Sequence, residues 1–218
     1  MDSFFSLFLS TFTTLIAIIN PLMAMPIYMQ LMSGADSITK KKVAFKSALF
    51  TFLLEVFFIL FGTLILKFFG VNLVMIRMVG GIVLLQLGFS MFIPSSDGMM
   101  QRFLESKKNG EGDIAIIPLS MPLQIGPGVI ATVISMTSGM DKNFHMVKSM
   151  LAVLLAALLT QVVVYYTFIF SSAIFKRLGS NGVDALTRIV GFFVAAMGVG
   201  FMFDSINEYL ISIGMVVK

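Results

Sequence analysis

The sequence predicts an all-α integral membrane protein with six transmembrane helices in two inverted three-helix repeats, helices 1 and 4 being broken. Three observations predict this: the composition, the number of long apolar runs, and a likeness between the two halves. Of 218 residues, 58% are hydrophobic and only 12% charged. Soluble domains carry about 25% charged residues. Mean hydropathy is +0.99. The apolar runs are Phe4–Met32, Val43–Leu66, Val71–Ile93, Ile114–Ser138, Met146–Phe175 and Leu186–Ile213. Each is near the ~20 residues needed to cross the hydrocarbon. The opening "MDSFFS" has no basic n-region and no clear small-residue cleavage site, so the first run reads as an uncleaved span. Trp is absent, which leaves Tyr and Phe to build the interfacial belts.

The likeness between halves rests on two matches in the same order. "IRMVGGIVLLQLGFSMF" and "TRIVGFFVAAMGVGFMF" align at an offset of 111, with Arg77/Arg188, Val79/Val190, Gly80/Gly191, Val83/Val194, Met91/Met202 and Phe92/Phe203 identical. "PLMAMP" and "PLQIGP" align at an offset of 101 through Pro21/Pro122, Leu22/Leu123 and Pro26/Pro127. Three spans per half is an odd number, so the second half enters the membrane from the opposite side. This is the plan of many secondary transporters. The domains are then 1–93, a polar linker 94–113, and 114–218. Ten of the fifteen Lys and Arg residues fall in the linker and in the loops after the first and fifth spans. That bias places those loops in the cytoplasm and both termini outside it.

Proline explains the broken helices. It lacks an N–H, clashes with the carbonyl four residues earlier, and pushes the residue before it out of the α region. Pro21 and Pro26 predict a break over 20–26, beside Asn20. Pro118, Pro122, Gly126, Pro127 and Gly128 predict a stronger one in the fourth span. Non-helical backbone survives at membrane depth only inside protein or against a wet cavity. Paired breaks in inverted halves point to a midplane binding site. Half-helix N-termini suit a carboxylate, and freed carbonyls suit an ammonium or a cation. Asn20 and Gln124 offer donors and acceptors, and Ala24, Gly126 and Gly128 leave room. Ordinary proline kinks without a ligand are the alternative.

At these residues the chain resembles the MarC family, also called UPF0056, of six-span inner-membrane proteins. The carriers are Asn20-Pro21…Pro26 in the first span, Pro122-Leu123…Gly126-Pro127-Gly128 in the fourth, and Arg77…Gly80-Gly81 in the third. The family's first motif usually has the form NP-x-G-x-x-P; here Met23 and Ala24 stand in that stretch, which changes the size of any pocket. The resemblance covers essentially the whole chain. It implies transport of small neutral amino acids, with glycine and alanine as substrates of some members, in the inner membrane. The family name's reference to antibiotic resistance does not by itself imply drug efflux.

Other polar residues in the spans have two readings each. A charge at the centre of a span costs about 2.5–3.5 kcal/mol on insertion scales. Glu55 is therefore either a proton-coupling carboxylate or a neutral side chain bonded to a neighbouring helix. Arg77 and Arg188 either snorkel to the interface or capture a substrate carboxylate. Asp204 lies near the outer end of its span. Gln86 and Gln161 read as helix–helix glue, and Gly80, Gly81, Gly191, Gly198 and Gly200 as sites of close packing.

The function classes narrow accordingly. Cysteine is absent and His145 is the single histidine. Disulfides, thiol chemistry and a clustered His/Cys metal site are excluded. No nucleophile pairing or carboxylate dyad indicates an enzyme, no nucleotide motif indicates ATP-driven pumping, and no selectivity-filter stretch indicates a channel. The net charge of +4 reflects loops and not nucleic-acid binding. The expectation is a secondary transporter that needs no cofactor, coupled to H+ or Na+ if it is coupled. Its partners are a small-molecule substrate and membrane lipids. An exporter of other metabolites or drugs, an uncoupled channel or scaffold, and homo-oligomerisation stay open.

Overall fold

A computed structural model describes residues 3–92, 113–138 and 144–215. Every element among them is helical: α1 (Ser3–Ile19), α2 (Pro21–Leu31), α3 (Ser37–Phe68), α4 (Leu73–Phe92), α5 (Ala115–Gln124), α6 (Pro127–Ser138), α7 (Phe144–Ile169) and α8 (Ser171–Ser212). Four of them, α3, α4, α7 and α8, are each long and apolar enough to cross a membrane. α1 and α2 make a fifth candidate span as a pair bent by 43°. Helix α6 is too short to cross alone. By length and composition the structure thus supports four or five spans, against the six expected. The fourth predicted span is the difference, because its backbone is interrupted. The linker 94–113 lies outside the described residues except for Asp113.

The packing is inverted relative to a soluble protein. In α3 the buried positions are Ala44, Ser47, Ala48, Thr51, Glu55, Ile59, Gly62 and Leu66. They recur every three or four residues and are mostly small or polar. The opposite face exposes Phe45, Leu49, Leu53, Phe57, Leu60, Leu64 and Phe68. Helix α7 repeats the plan, with Ala152, Ala156, Thr160 and Val164 inside and Leu151, Leu155, Leu158 and Val162 outside. Lipid suits the bulky face, so the close approach of these helices rests on small residues and polar contacts.

Helix ends follow local chemistry. Asp36 caps α3, its carboxylate accepting from the amides of Ile38 and Thr39. Hydrogen bonds from Thr39 hold its carboxyl below the ordinary value. Gly70, at φ +65°, stops α3 and lets the Val71 amide bond back to the Leu66 carbonyl. Asn72 then starts α4, its side chain accepting from the Val74 amide. The expected loop between the fifth and sixth spans is mostly helix. A single residue, Phe170, separates α7 from α8, and Lys176 and Arg177 lie within α8. Regular geometry fails only at Gly179, with φ 66° and ψ 177°, values open to glycine.

The two helices with the Arg-x-Val-Gly pattern pack directly on each other. A Cβ on Gly81 would sit 2.7 Å from the Gly198 carbonyl oxygen, and one on Gly198 2.6 Å from that of Gly81. Gly88 and Gly191 make a second such pair, with 2.7 Å and 3.0 Å. The contacts move up α4 as they move down α8, so the helices run antiparallel. Gly80 is close-packed as well, against Ala131 of α6. Gly200, expected to pack closely, has nothing within 4 Å. Gly198→Ala should therefore destabilise the folded protein by about 1–3 kcal/mol through overpacking. Gly200→Ala should be neutral or stabilising by up to about 1 kcal/mol through helix propensity. Thermal melts of the two variants in detergent check this pair of outcomes.

Candidate functional site

The first helix breaks at one residue. Asn20 has φ 41° and is the only non-glycine with positive φ among the described residues. Its side-chain oxygen accepts from the Met23 amide at 3.4 Å, capping α2, while its Nδ2 faces Met91 Sδ at 3.8 Å. Asparagine is among the few residues that tolerate this region. The expected break over 20–26 is narrower in fact. Pro21 occupies the first position of α2, where its missing N–H costs nothing. Pro26 lies inside the helix without ending it.

The second break is longer. Ile117 and Met121, which precede Pro118 and Pro122, are extended at φ −120° and −127°, as residues before proline must be. Pro118 cannot donate to the Ile114 carbonyl, so the next amide, that of Leu119, takes it at 3.4 Å. The Ile125 amide reaches five residues back to the Ser120 carbonyl at 2.8 Å. These five-residue steps give α5 its π-helical character. Side chains satisfy other groups. Ser120 Oγ donates to the Ala115 carbonyl at 2.7 Å or the Ser47 carbonyl at 3.0 Å. Gln124 Nε2 donates to the Leu119 carbonyl at 3.0 Å and to Ser47 Oγ at 2.7 Å. An ion pair between Lys46 and Asp113 ties the start of α5 to α3. The hydrogen bond from Lys46 holds the Asp113 carboxyl below its ordinary value. The helix after each break begins on a proline, Pro21 and Pro127. Pro21 and Pro127 thus share a position at a helix start, whereas Pro122 lies within α5.

Both breaks line one cavity of about 190 Å³. Asn20 and Met23 contribute from the first. Leu123, Gln124, Gly126, Pro127, Gly128 and Val129 contribute from the second, and Val83, Leu87, Ser90 and Met91 of α4 form a wall. Gly128 lets α6 approach α4, since a Cβ there would lie 3.0 Å from Leu84 Cδ2. The amides of Gly128 and Val129, in the first turn of α6, have no backbone acceptor, as expected of a helix start. The Leu123 carbonyl, which Pro127 cannot reach, has no backbone donor. Gln124 is 1% exposed and its Oε1 has no partner. The second break thus leaves donors and acceptors without partners among the described residues at residues that line the cavity.

Several expected site residues lie elsewhere. Pro21 and Ala24 are buried in α2 but do not line the cavity, and neither does Pro26. Met23 lines it instead, because the helix begins at Pro21 and turns that residue toward α4. The Pro122 side chain lies outside the described residues. Arg77 is committed to structure: its Nε donates to Ser135 Oγ at 2.7 Å and its guanidinium pairs with Glu208 at 2.6 Å. Arg188 and Asp204 are exposed on α8. None of these three reaches the cavity.

Glu55 is 1% exposed and lies between α3 and α7, where its Oε2 accepts from Gln161 Nε2 at 3.2 Å. Its Oε1 and the Gln161 Oε1 have no partners. Gln161 is the glue expected of it. Glu55 is also the last of a buried polar stripe on α3, Ser47, Thr51 and Glu55, that starts at the Gln124 hydrogen bond. Ser47 and Ser120 went unnoticed in the sequence. The four-residue spacing of Ser47, Thr51 and Glu55 in an apolar helix was the signal available.

Asn20 has two separable tasks, backbone and amide. Asn20→Ala forces a Cβ-bearing residue without a cap into positive φ. It should destabilise the protein by about 1–3 kcal/mol. Asn20→Gly keeps the backbone accessible and should stay within a few tenths of the parent. Comparing the unfolding midpoints of the two variants checks the assignment.

Residues 5–210 match the model of the family described as MarC family integral membrane protein. The chain is 30% identical over 200 residues to the UPF0056 membrane protein YvbG of Bacillus subtilis, covering 91% of this chain and 93% of that one. It is 32% identical to a UPF0056 membrane protein of Archaeoglobus fulgidus, covering 97% and 98%. It is 27% identical to the UPF0056 inner membrane protein MarC of Escherichia coli, covering 90% and 92%. No solved structure matches the chain. With a match over nearly its whole length, and with apolar helices built to face lipid, the chain belongs to the MarC family of integral membrane proteins.

Proposed function

We propose that this protein is a secondary transporter of small neutral amino acids such as glycine or alanine, working by alternating access around the cavity between its two helix breaks. The observation that carries the reading is the meeting of Asn20 with Leu123, Gln124 and residues 126–129 around one small, largely apolar space, at which the second break leaves amides and a carbonyl unpaired among the described residues. A zwitterion needs both kinds of group. Its carboxylate suits the Gly128 and Val129 amides at the N-terminus of α6. Its ammonium suits the Leu123 carbonyl and the side-chain oxygens of Asn20 or Gln124. The volume of about 190 Å³ favours a small solute. Drug-sized ligands occupy pockets of about 300–1,000 Å³.

Two features support an inverted six-span arrangement in which α5 and α6 together complete the fourth span. Each half runs as a broken pair, a long helix, and a helix with the Arg-x-Val-Gly pattern. The antiparallel contact of α4 and α8 is centred near Leu84 and Ala195, which are partners at the sequence offset of 111. A pseudo-twofold axis in the membrane plane requires such a crossing of equivalent helices at equivalent residues. The excess of Lys and Arg in three of the loops supports both termini outside the cytoplasm.

Glu55 serves in this reading as the site of a coupling proton. The Ser47–Thr51–Glu55 stripe links it to Gln124 at the cavity.

Uptake of labelled glycine and alanine into liposomes, with and without an imposed proton gradient, tests the reading. The parent should give saturable, gradient-dependent uptake. Loss of one hydrogen bond to a charged group costs about 1.5–3 kcal/mol, or ten- to a hundredfold in affinity. Asn20→Gly should weaken binding by that factor, and Gly126→Val should block it sterically. If both folded variants behave like the parent, the breaks are kinks and the substrate binds elsewhere. Glu55→Gln should preserve substrate exchange and abolish gradient-driven accumulation; unchanged accumulation assigns Glu55 to helix packing alone.

A further inference from the structure

A second cavity, of about 260 Å³, opens at the lysine-bearing end of α3. It lies between the turn that joins α2 to α3 and the junction of α7 with α8. Ser33, Ser37, Lys40, Lys41, Ser171 and Ser172 supply its polar lining. Nothing in the transport reading uses it.

Among the described residues, no acidic side chain lines the space. Helix α8 starts at Ser171 after Phe170, whose side chain cannot cap it. The Phe170 carbonyl accepts from Ala173 and Ile174, while the amides of Ser171 and Ser172 bond to no backbone carbonyl. These amides carry the positive end of the helix dipole. Ser171 is 3% exposed, lines the cavity, and its hydroxyl has no hydrogen-bond partner among the described residues. An unpaired hydroxyl on a buried residue, open to a polar cavity, marks a place for a ligand. Lys40 and Lys41 make no ion pair among the described residues. The one nearby carboxylate, Asp36, is turned onto the amides of its own helix and is not part of the lining.

The walls are held firmly. Tyr28 donates its hydroxyl to the Lys40 carbonyl at 2.9 Å and stacks on Phe168 at 4.6 Å with planes 3° apart. This fixes α3 against α2 and α7 at the cavity floor. On α3, Ile38 is exposed near the cavity, and the exposed apolar face continues at Phe45 and Leu49. The cavity therefore sits where the lipid-facing surface gives way to a charged one.

From these observations we infer that the cavity binds a phosphate group through the α8 N-terminus, Ser171, Lys40 and Lys41. The group is either the headgroup of an anionic phospholipid at the membrane interface or a free phosphate ion. Two lysines and an uncapped helix start match a monoanionic or dianionic oxyanion. The inference is independent of the transported substrate.

The test is thermal unfolding of the purified full-length protein in detergent, titrated with phosphatidylglycerol, with phosphatidylcholine, or with inorganic phosphate against chloride at equal ionic strength. Phosphatidylglycerol or phosphate should raise the midpoint saturably, and phosphatidylcholine should not. A rise with the lipid alone assigns the headgroup as ligand; a rise with inorganic phosphate assigns the free ion. Lys40→Ala/Lys41→Ala and, separately, Ser171→Val should each require at least about tenfold more ligand for the same shift. Lys42→Ala, outside the cavity, should titrate like the parent. The inference is overturned if neither ligand shifts the parent, or if Ser171→Val and the double lysine variant respond as the parent does. An equal loss in Lys42→Ala also overturns it, because diffuse surface charge would then suffice.

Discussion

Backbone that has left the helix must be hidden from lipid, and that constraint organises this protein. In hydrocarbon an unpaired amide or carbonyl has no water to turn to. The chain nevertheless gives up helical geometry at Asn20 and through Ile117–Ile125. Asn20 is buried, and the second stretch packs on α3 and α2 while Ile117 and Met121 expose their side chains. Part of the deficit is met internally, by amides that reach one residue further back and by Ser120 and Gln124. What is left unpaired gathers at one small cavity. The chemistry of the candidate site and the architecture around it thus have a common cause.

The enclosure depends on helices that approach closely without a hydrophobic drive, since lipid is as apolar as the side chains. Glycine and alanine allow that approach. Gly81, Gly88, Gly191 and Gly198 bring α4 and α8 to backbone contact, and α4 then presents Val83, Leu87, Ser90 and Met91 to the cavity. Gly128 draws α6 onto the same helix. The residues that set the cavity's dimensions are thus largely ones that never touch its contents.

Polar side chains are used sparingly. Gln124, Ser47 and Ser120 form a buried hydrogen-bonded cluster, and Thr51 and Glu55 extend it along α3 toward Gln161. A stripe of this kind fixes the register of α3 against α5 and α7, and it provides a polar route through an apolar bundle. The two arginines singled out by the repeat part ways: Arg77 joins α4, α6 and α8 through Ser135 and Glu208, whereas Arg188 stays at the surface. Their match in sequence did not give them matching partners.

The sequence by itself determined the class, the helical content, the location of both breaks and the close packing of Gly80, Gly81, Gly191 and Gly198, but it missed Gly88 and wrongly included Gly200. These follow from local or periodic chemistry: proline geometry, apolar run length, and glycine on a helix face. It also singled out Asn20, Gln124, Gly126, Pro127 and Gly128. Tertiary structure alone decided which of the named residues share a cavity. Pro26 was misjudged because an interior proline is tolerated where neighbouring helices support the turn. Pro21 matches Pro122 by identity, but its place at a helix start is shared by Pro127, since a proline's role depends on where the helix begins. The α4 wall, Ser47, the Arg77–Glu208 pair and the basic cavity at Ser171 were invisible because each joins residues far apart in the chain. Periodicity says which face of a helix is buried, but not what lies against it.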